Sequence, residues 1–103
     1  MLVPHTTSHA PRVPAVDLFE SETCLRIVVD VPGSSSEDVD LTLEAGELRL
    51  DTRGATRFHR SFKVPDVVDT DAIEAEVADG VLTLTLPKSA AARPRKLTIH
   101  KAA

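Results

Sequence analysis

The sequence has no tryptophan, no tyrosine, three phenylalanines, four glycines and one cysteine among its 103 residues. So few aromatic rings argue against an RNA-binding sheet, which stacks bases on ring faces. A single cysteine excludes an internal disulfide framework and a cysteine-only zinc cage, and it is typical of a reducing compartment. No glycine belongs to a G-x-G-x-x-G or G-x-x-x-x-G-K string, so neither phosphate-binding loop is predicted.

Long apolar runs are also missing. No stretch approaches the ~20 residues that a membrane helix needs. Residues 1–13 contain neither the basic segment nor the apolar segment of a secretory signal. We therefore expect a cytoplasmic protein whose first 13 residues form a short disordered arm.

Charge is unevenly distributed along the chain. All 16 acidic side chains lie in residues 1–87, whereas residues 88–103 hold five of the 12 basic ones and no acid. An acidic body repels nucleic acid and anionic lipid, and the basic tail is short and lacks interleaved aromatics. We expect no nucleic-acid or membrane partner.

Apolar residues recur with a period of two in several short segments, which is typical of half-buried antiparallel strands. Turn residues separate the segments, and Asp79-Gly80 is a strong two-residue hairpin signal. These features predict an all-β, immunoglobulin-like antiparallel sandwich of about seven to eight strands. The alternating runs are 24–31, 39–44, 47–51, 73–78 and 81–86, with a last short alternation at 97–99.

Candidates for nucleophilic catalysis are weak. Ser34, Ser35 and Ser36 follow Pro-Gly, but no G-x-S-x-G elbow surrounds them, so a solvated turn is the preferred interpretation. Cys24 lies on the more polar face of its strand, and no sequence neighbour would activate its thiol. We predict no catalytic site and do not expect an enzyme.

Candidates for metal binding are equally weak. His5 and His9 lie four residues apart, a spacing that helps only on a helix, and prolines flank them. Asp66, Asp69 and Asp71 resemble half of a calcium loop, but the loop's central glycine and terminal glutamate are absent. We expect a solvated turn here, no metal and no cofactor.

A succession of small motifs runs along most of the chain. Most specific is the string Phe58-His59-Arg60-Ser61-Phe62-Lys63-Val64-Pro65, followed at a distance by Ala75 and Gly80-Val81-Leu82. In this order the motifs resemble the α-crystallin domain of the small heat shock proteins. The resemblance covers roughly residues 14–88 and extends to Leu97-Thr98-Ile99, which looks like the family's I-x-I anchor. The predicted organisation is an arm (1–13), an α-crystallin domain (14–88) and a C-terminal extension with the anchor (89–103).

The resemblance implies an ATP-independent chaperone, a holdase, that binds partly unfolded client proteins, suppresses their aggregation and self-associates. In the family, two edge strands border an apolar groove for clients and for the tail anchor. The matching inward residues here are Val39, Leu41, Leu43, Ile73, Ala75 and Val77. The anchor residues are Leu97 and Ile99; the competing interpretation is that they form a final strand on their own sandwich.

Arg60 matches the family's arginine in the F-x-R-x-F string, which forms salt bridges in the sheet or at the dimer contact. It shares a face with Phe58 and Phe62, and we expect a carboxylate partner because an unpaired buried guanidinium is costly. The competing interpretation is an ordinary surface arginine.

The sequence departs from the family in the connector from Thr52 to Arg57. Bacterial and plant members have a long loop here that adds a strand to the partner's sheet, and six residues cannot both turn and donate a strand. The loop-swapped dimer is therefore doubtful, and the animal-type elongated strand is also shortened. With a short arm as well, we expect a monomer, a loose dimer or a small assembly with weak holdase activity.

Two other functions compete. A co-chaperone of the CS-domain type, or another β-sandwich interaction module, would share the fold, but CS-type proteins typically end in an acidic extension and this chain ends basic. A small hydrolase or metal enzyme would need a convergent polar site, which the sequence does not offer.

Overall fold

Seven antiparallel strands form two facing sheets in the computed structural model, which describes residues 12–54 and 56–102. The prediction of an all-β sandwich is confirmed, and the alternating runs coincide with strands at nearly the expected bounds. The strands are β1 (Val16–Glu20), β2 (Cys24–Asp30), β3 (Val39–Glu44), β4 (Glu47–Thr52), β5 (His59–Lys63), β6 (Glu74–Ala78) and β7 (Val81–Pro87).

One sheet has the order β1-β2-β7-β6 and the other the order β3-β4-β5. The strand registers align the inward-facing residues of neighbouring strands, with Ile27 opposite Leu84 and Leu50 opposite Arg60. Along each strand, every second side chain therefore points between the sheets. Short 3-10 helices lie at Ser36–Asp38, Thr70–Ala72 and Ala90–Ala92.

The core consists of aliphatic side chains from the inner faces of both sheets and from the segments that follow β2 and β5, together with Phe58. Each such side chain contributes about 1.5–3 kcal/mol when it is withdrawn from water, which is the main stabilising term in a fold without aromatic bulk. The buried apolar residues are Leu25, Ile27, Val29, Val31, Leu48, Leu50, Phe58, Val64, Val68, Leu82, Leu84 and Leu86.

Two tight turns close hairpins. Asp79 and Gly80 have φ of 50° and 74°, which confirms the predicted two-residue turn between β6 and β7. Ala45 and Gly46, between β3 and β4, have φ of 52° and 76°. These turns set the registers of the two hairpins and so decide which side chains of β3 and β6 face inward.

The two ends of the chain leave the sandwich differently. The arm predicted at 1–13 lies mostly outside the described residues, but Arg12 forms a parallel bridge with Phe58 at the start of β5. After β7, Lys88 bridges Val68, and no strand follows among residues 89–102. None of the described residues forms a helix long and apolar enough to span a bilayer.

Candidate functional site

The polar groups considered for catalysis and metal binding belong to turns. The Asp69 carboxylate accepts a hydrogen bond from the Asp71 backbone N–H at 3.1 Å, which caps the Thr70–Ala72 helix. His5 and His9 lie outside the described residues. Within the part of the chain that the structure describes, no three His, Cys, Asp or Glu side chains are grouped to hold a metal ion.

The serine run also caps a turn. The backbone N–H and the hydroxyl of Ser35 both donate to the Asp38 carboxylate, at 3.0 and 3.2 Å. Ser34 is buried against Gly54, and its Oγ has no hydrogen-bond partner in the described chain. Cys24 is half-buried, with its sulfur 3.6 Å from the Ser21 hydroxyl. The Ser35–Asp38 contact is the capping box of the short helix Ser36–Asp38.

Strands β3 and β6 lie at one side of the sandwich and border the predicted apolar groove, called the β3/β6 groove below. Among the strands that the structure describes, each of these two pairs with one neighbour only and leaves its other backbone edge unpaired. The two edges lie on the same side of the molecule, because β6 contacts the 3-10 helix that leads into β3. Two unpaired edges with apolar residues between them offer both hydrogen-bonding groups and side-chain pockets to an extended segment.

The six residues predicted to line this groove do point between the sheets. The registers place Leu41 opposite Leu50 and Ala75 opposite Leu84, and the two partners, Leu50 and Leu84, are fully buried. The groove residues themselves are only partly covered. Leu43 is 41% exposed and Ala75 is exposed, whereas the rest are half-buried and pack against the core: Val39, Leu41, Ile73 and Val77.

The rim of the groove is acidic. The outward-facing positions of β3 carry Asp40 and Glu44, and those of β6 carry Glu74 and Glu76, all of them exposed. Asp40 already accepts from Arg53. Together with the alternating apolar positions, this acidic surface favours an extended segment with apolar residues at alternate positions and basic residues around them.

The C-terminal segment has that composition. Leu97 is 73% exposed and Ile99 is 92% exposed, and neither lies in a strand. Both side chains are thus available to another surface, in contrast to the competing interpretation of a final strand on their own sandwich. Arg93, Arg95, Lys96 and Lys101 surround them in sequence.

Arg60 faces inward as expected, and in the single chain its guanidinium lies beside an aromatic ring. Arg60 is half-buried and is the register partner of Leu50 on the neighbouring strand, so the two side chains lie on the same face of the sheet. Its guanidinium carbon is 5.6 Å from the centroid of the Phe62 ring. Within residues 12–54 and 56–102 of the single chain no Asp or Glu lies within ion-pair distance of Arg60, so the expected carboxylate partner stays a prediction for the assembled protein. The ring stabilises the cation in place of an anion.

A second groove, which sequence reasoning missed, lies on the opposite side of the sandwich between β1 and β5. It encloses about 420 Å³. The aliphatic wall comes from β1, β2 and β7, and the other wall from β5 and the turn after it. The lining residues are Val16, Leu18, Leu25, Ile27, Arg60, Ser61, Phe62, Lys63, Pro65 and Leu86.

The connector after β4 is bound to its own sheet. Phe58 N–H donates to Thr52 Oγ1 at 2.8 Å, and Thr52 N–H donates to the Phe58 carbonyl at 3.0 Å. Arg53 donates to the Asp40 carboxylate at 2.5 Å and to the Glu37 carbonyl at 2.6 Å. The residues at both ends of this short connector therefore form their hydrogen bonds with other residues of the same chain.

Comparison with known proteins gives concordant results. A sequence profile described as the Hsp20/alpha crystallin family matches residues 50–100. The chain is 32% identical over 90 residues to the "Probable 15 kDa heat shock protein" of Leptospira interrogans, covering 73% of this chain and 69% of that protein. It is 28% identical to the "Spore protein SP21" of Stigmatella aurantiaca, covering 84% of this chain and 62% of that protein's length.

The fold has solved counterparts as well. The crystal structure of a small heat-shock protein from Xylella fastidiosa superposes with a TM-score of 0.73 at 29% identity, covering 89% of this chain and all of that one.

Proposed function

Because the chain belongs to the Hsp20/alpha crystallin family of small heat shock proteins, we propose that it is an ATP-independent holdase. In this role it binds partly unfolded proteins and suppresses their aggregation. The proposal involves no cofactor and no covalent chemistry, and it places the protein in the cytoplasm.

The observation that carries the proposal is the β3/β6 groove. The inward side chains of β3 and β6 are apolar and partly exposed, and no described strand pairs with the outer edge of either strand. An unfolding client exposes extended segments with alternating apolar side chains, and such a segment fits a groove of this kind by adding to an edge. Binding one segment removes apolar surface that would otherwise join another unfolded chain.

We propose that the chain's own anchor competes with clients for the groove. Leu97 and Ile99 have the i, i+2 spacing that places two side chains on one face of an extended segment. Their burial contributes about 3–6 kcal/mol before the entropy of ordering the tail is subtracted. The basic residues around the anchor then face the acidic rim. A net affinity this modest lets the anchor detach when clients accumulate.

The proposed assemblies are small. In support of this, hydrogen bonds of Thr52, Arg53 and Phe58 within the chain fix both ends of the connector between β4 and β5. The connector is therefore too short to reach a partner subunit and add a strand to its sheet. The small heat-shock protein from Xylella fastidiosa, by contrast, is described as having "a distinct high order structure". For this chain we expect a dimer or small oligomer, joined in part by anchors that dock in neighbouring grooves.

The proposal is tested by heating an aggregation-prone client in nucleotide-free buffer, with and without this protein, and following light scattering. We expect suppression that grows with the molar ratio and does not change when ATP is added. A client that scatters equally at several-fold excess of the protein would contradict the holdase function.

A further inference from the structure

Within residues 12–54 and 56–102, no strand pairs with the outer edge of β1. Ala15 accepts a hydrogen bond from Asp30 N–H at 3.0 Å, so the backbone groups of Ala15, Asp17 and Phe19 face β2. By alternation, those of Val16, Leu18 and Glu20 face away from the sheet, where no described strand pairs with them. Edge strands of this kind pair with other chains unless they are protected.

The side chains of β1 are unusually exposed for apolar residues. Leu18 is 66% exposed although it points between the sheets, opposite the buried Ile27, and Phe19 on the other face is 57% exposed. Leu18 lines the β1/β5 groove, where the second sheet fails to cover it. One strand thus leaves apolar surface uncovered on both faces and a backbone edge unpaired.

The facing strand, β5, is less available. Arg12 N–H donates to the Arg57 carbonyl at 2.8 Å, and His59 N–H donates to the Arg12 carbonyl at 2.9 Å. These bonds occupy the start of the outer edge of β5. A second chain therefore finds a longer free edge on β1 than on β5.

We propose that two copies of this protein pair through β1, antiparallel and centred on Leu18, which joins their four-stranded sheets into one. The proposal refines the self-association proposed above and names the surface that carries it. Centring on Leu18 is the register that pairs all five residues of the strand. It places Glu20 opposite Val16 of the other copy, and Asp17 opposite Phe19.

This register suits the charges of the strand. No like charges stand directly opposite each other, whereas a shift centred on Asp17 would oppose two carboxylates. The two copies of Leu18 meet at the twofold axis, on the face of the joined sheet that carries the β1/β5 groove of each copy. Both exposed apolar residues of β1 are covered by the same pairing.

The pairing also supplies the carboxylate that Arg60 lacks. In the dimer, Glu20 of one copy stands beside Val16 of the other, and Val16 and Arg60 line the same groove. Glu20 uses one oxygen to accept from Lys88 Nζ at 3.0 Å, which leaves the other for a second cation. An ion pair between Arg60 and the second copy's Glu20 would then close each end of the interface.

Disulfide trapping tests the register. In the full chain with Cys24→Ser, Leu18→Cys places two thiols at the twofold axis, with Cα atoms about 5.5 Å apart, which lies in disulfide range. Glu76→Cys on the opposite edge strand of the same sheet is the matched control, and Ser61→Cys reports pairing through β5. We expect Leu18→Cys to oxidise to a dimer about tenfold faster than Glu76→Cys, because its thiols are held together.

Equal rates at Leu18→Cys and Glu76→Cys would overturn the proposal, since they indicate random collision. Faster trapping at Ser61→Cys than at Leu18→Cys would overturn it in favour of a β5 interface. A chain that stays monomeric throughout, with its own arm covering β1, would overturn it as well.

A charge exchange tests the ion pair. Sedimentation equilibrium is performed on the full chain with Leu97→Ala and Ile99→Ala, so that anchor docking does not contribute to mass. Arg60→Glu should weaken dimerisation about tenfold, and adding Glu20→Arg should restore it. Equal weakening in single and double variants would refute the Arg60–Glu20 contact. Neither experiment uses a client, so failure of the holdase activity and failure of this interface are separately visible.

Discussion

Replacing both Leu97 and Ile99 with alanine will shift the protein to smaller assemblies and increase its capacity for clients. The two side chains are 73% and 92% exposed in the single chain, so their loss removes nothing from its core. The substitutions withdraw most of the roughly 3–6 kcal/mol that anchor burial contributes, which lowers anchor affinity by at least about 100-fold. A groove no longer occupied by an anchor is open to clients from the start.

The measurement is light scattering behind size exclusion, paired with client protection at fixed molar ratio. Thr98→Ala is the matched control, because it lies between the two anchor positions and faces the other way in an extended segment. We expect it to behave as the unchanged chain does. Unchanged mass and unchanged protection in the double alanine variant would remove the anchor from the mechanism.

Replacing Leu43 with lysine will impair both client and anchor binding while the sandwich remains folded. Leu43 points between the sheets yet is 41% exposed at the end of the groove, so a lysine there can keep its ammonium in water. The apolar contact with a docked segment is lost, and the new cation stands in the path of the basic anchor. The loss of one buried leucine contact corresponds to about a 10- to 100-fold weaker interaction.

The matched control is Thr42→Lys, which adds the same charge to the same strand on the outward face. Client protection and the affinity for a synthetic peptide of residues 93–101 are measured for both variants, and circular dichroism establishes that both are folded. We expect a deficit for Leu43→Lys alone. Equal deficits in the two variants would mean that net charge, and not the groove, determines binding.

The strands that the sequence predicts well are those with one face in the core. In β2, β4 and β7, burial of every second residue imposes a period of two that is visible in the residues themselves. The edge strands β3 and β6 have the same apolar alternation, although their inward residues are only partly covered. Strand β1 lacks this signal, because Phe19 stands in the outward position and the inward-facing Leu18 is left uncovered. The alternation at 97–99 has the signal but no strand, because no neighbouring strand pairs with it.

The inward faces of β3 and β6 follow from the same parity, whereas the groove between these strands is implied by the family resemblance and stays a prediction. Arg60 illustrates the limit. Its inward direction follows from its spacing to Phe58 and Phe62, but the identity of its partner depends on which side chains the second sheet brings near. The β1/β5 groove is invisible in the sequence for a related reason, since it arises where one sheet fails to cover the other.

The most direct test of client binding in the β3/β6 groove is chemical-shift mapping by NMR. The isotope-labelled chain carrying Leu97→Ala and Ile99→Ala is titrated with a permanently unfolded client, and then with the peptide of residues 93–101. The holdase mechanism predicts that the client perturbs the amides of Val39–Glu44 and Ile73–Ala78, and that the peptide perturbs the same amides and displaces the client. Perturbations confined to β1 and β5, or a client that the peptide does not displace, would contradict it.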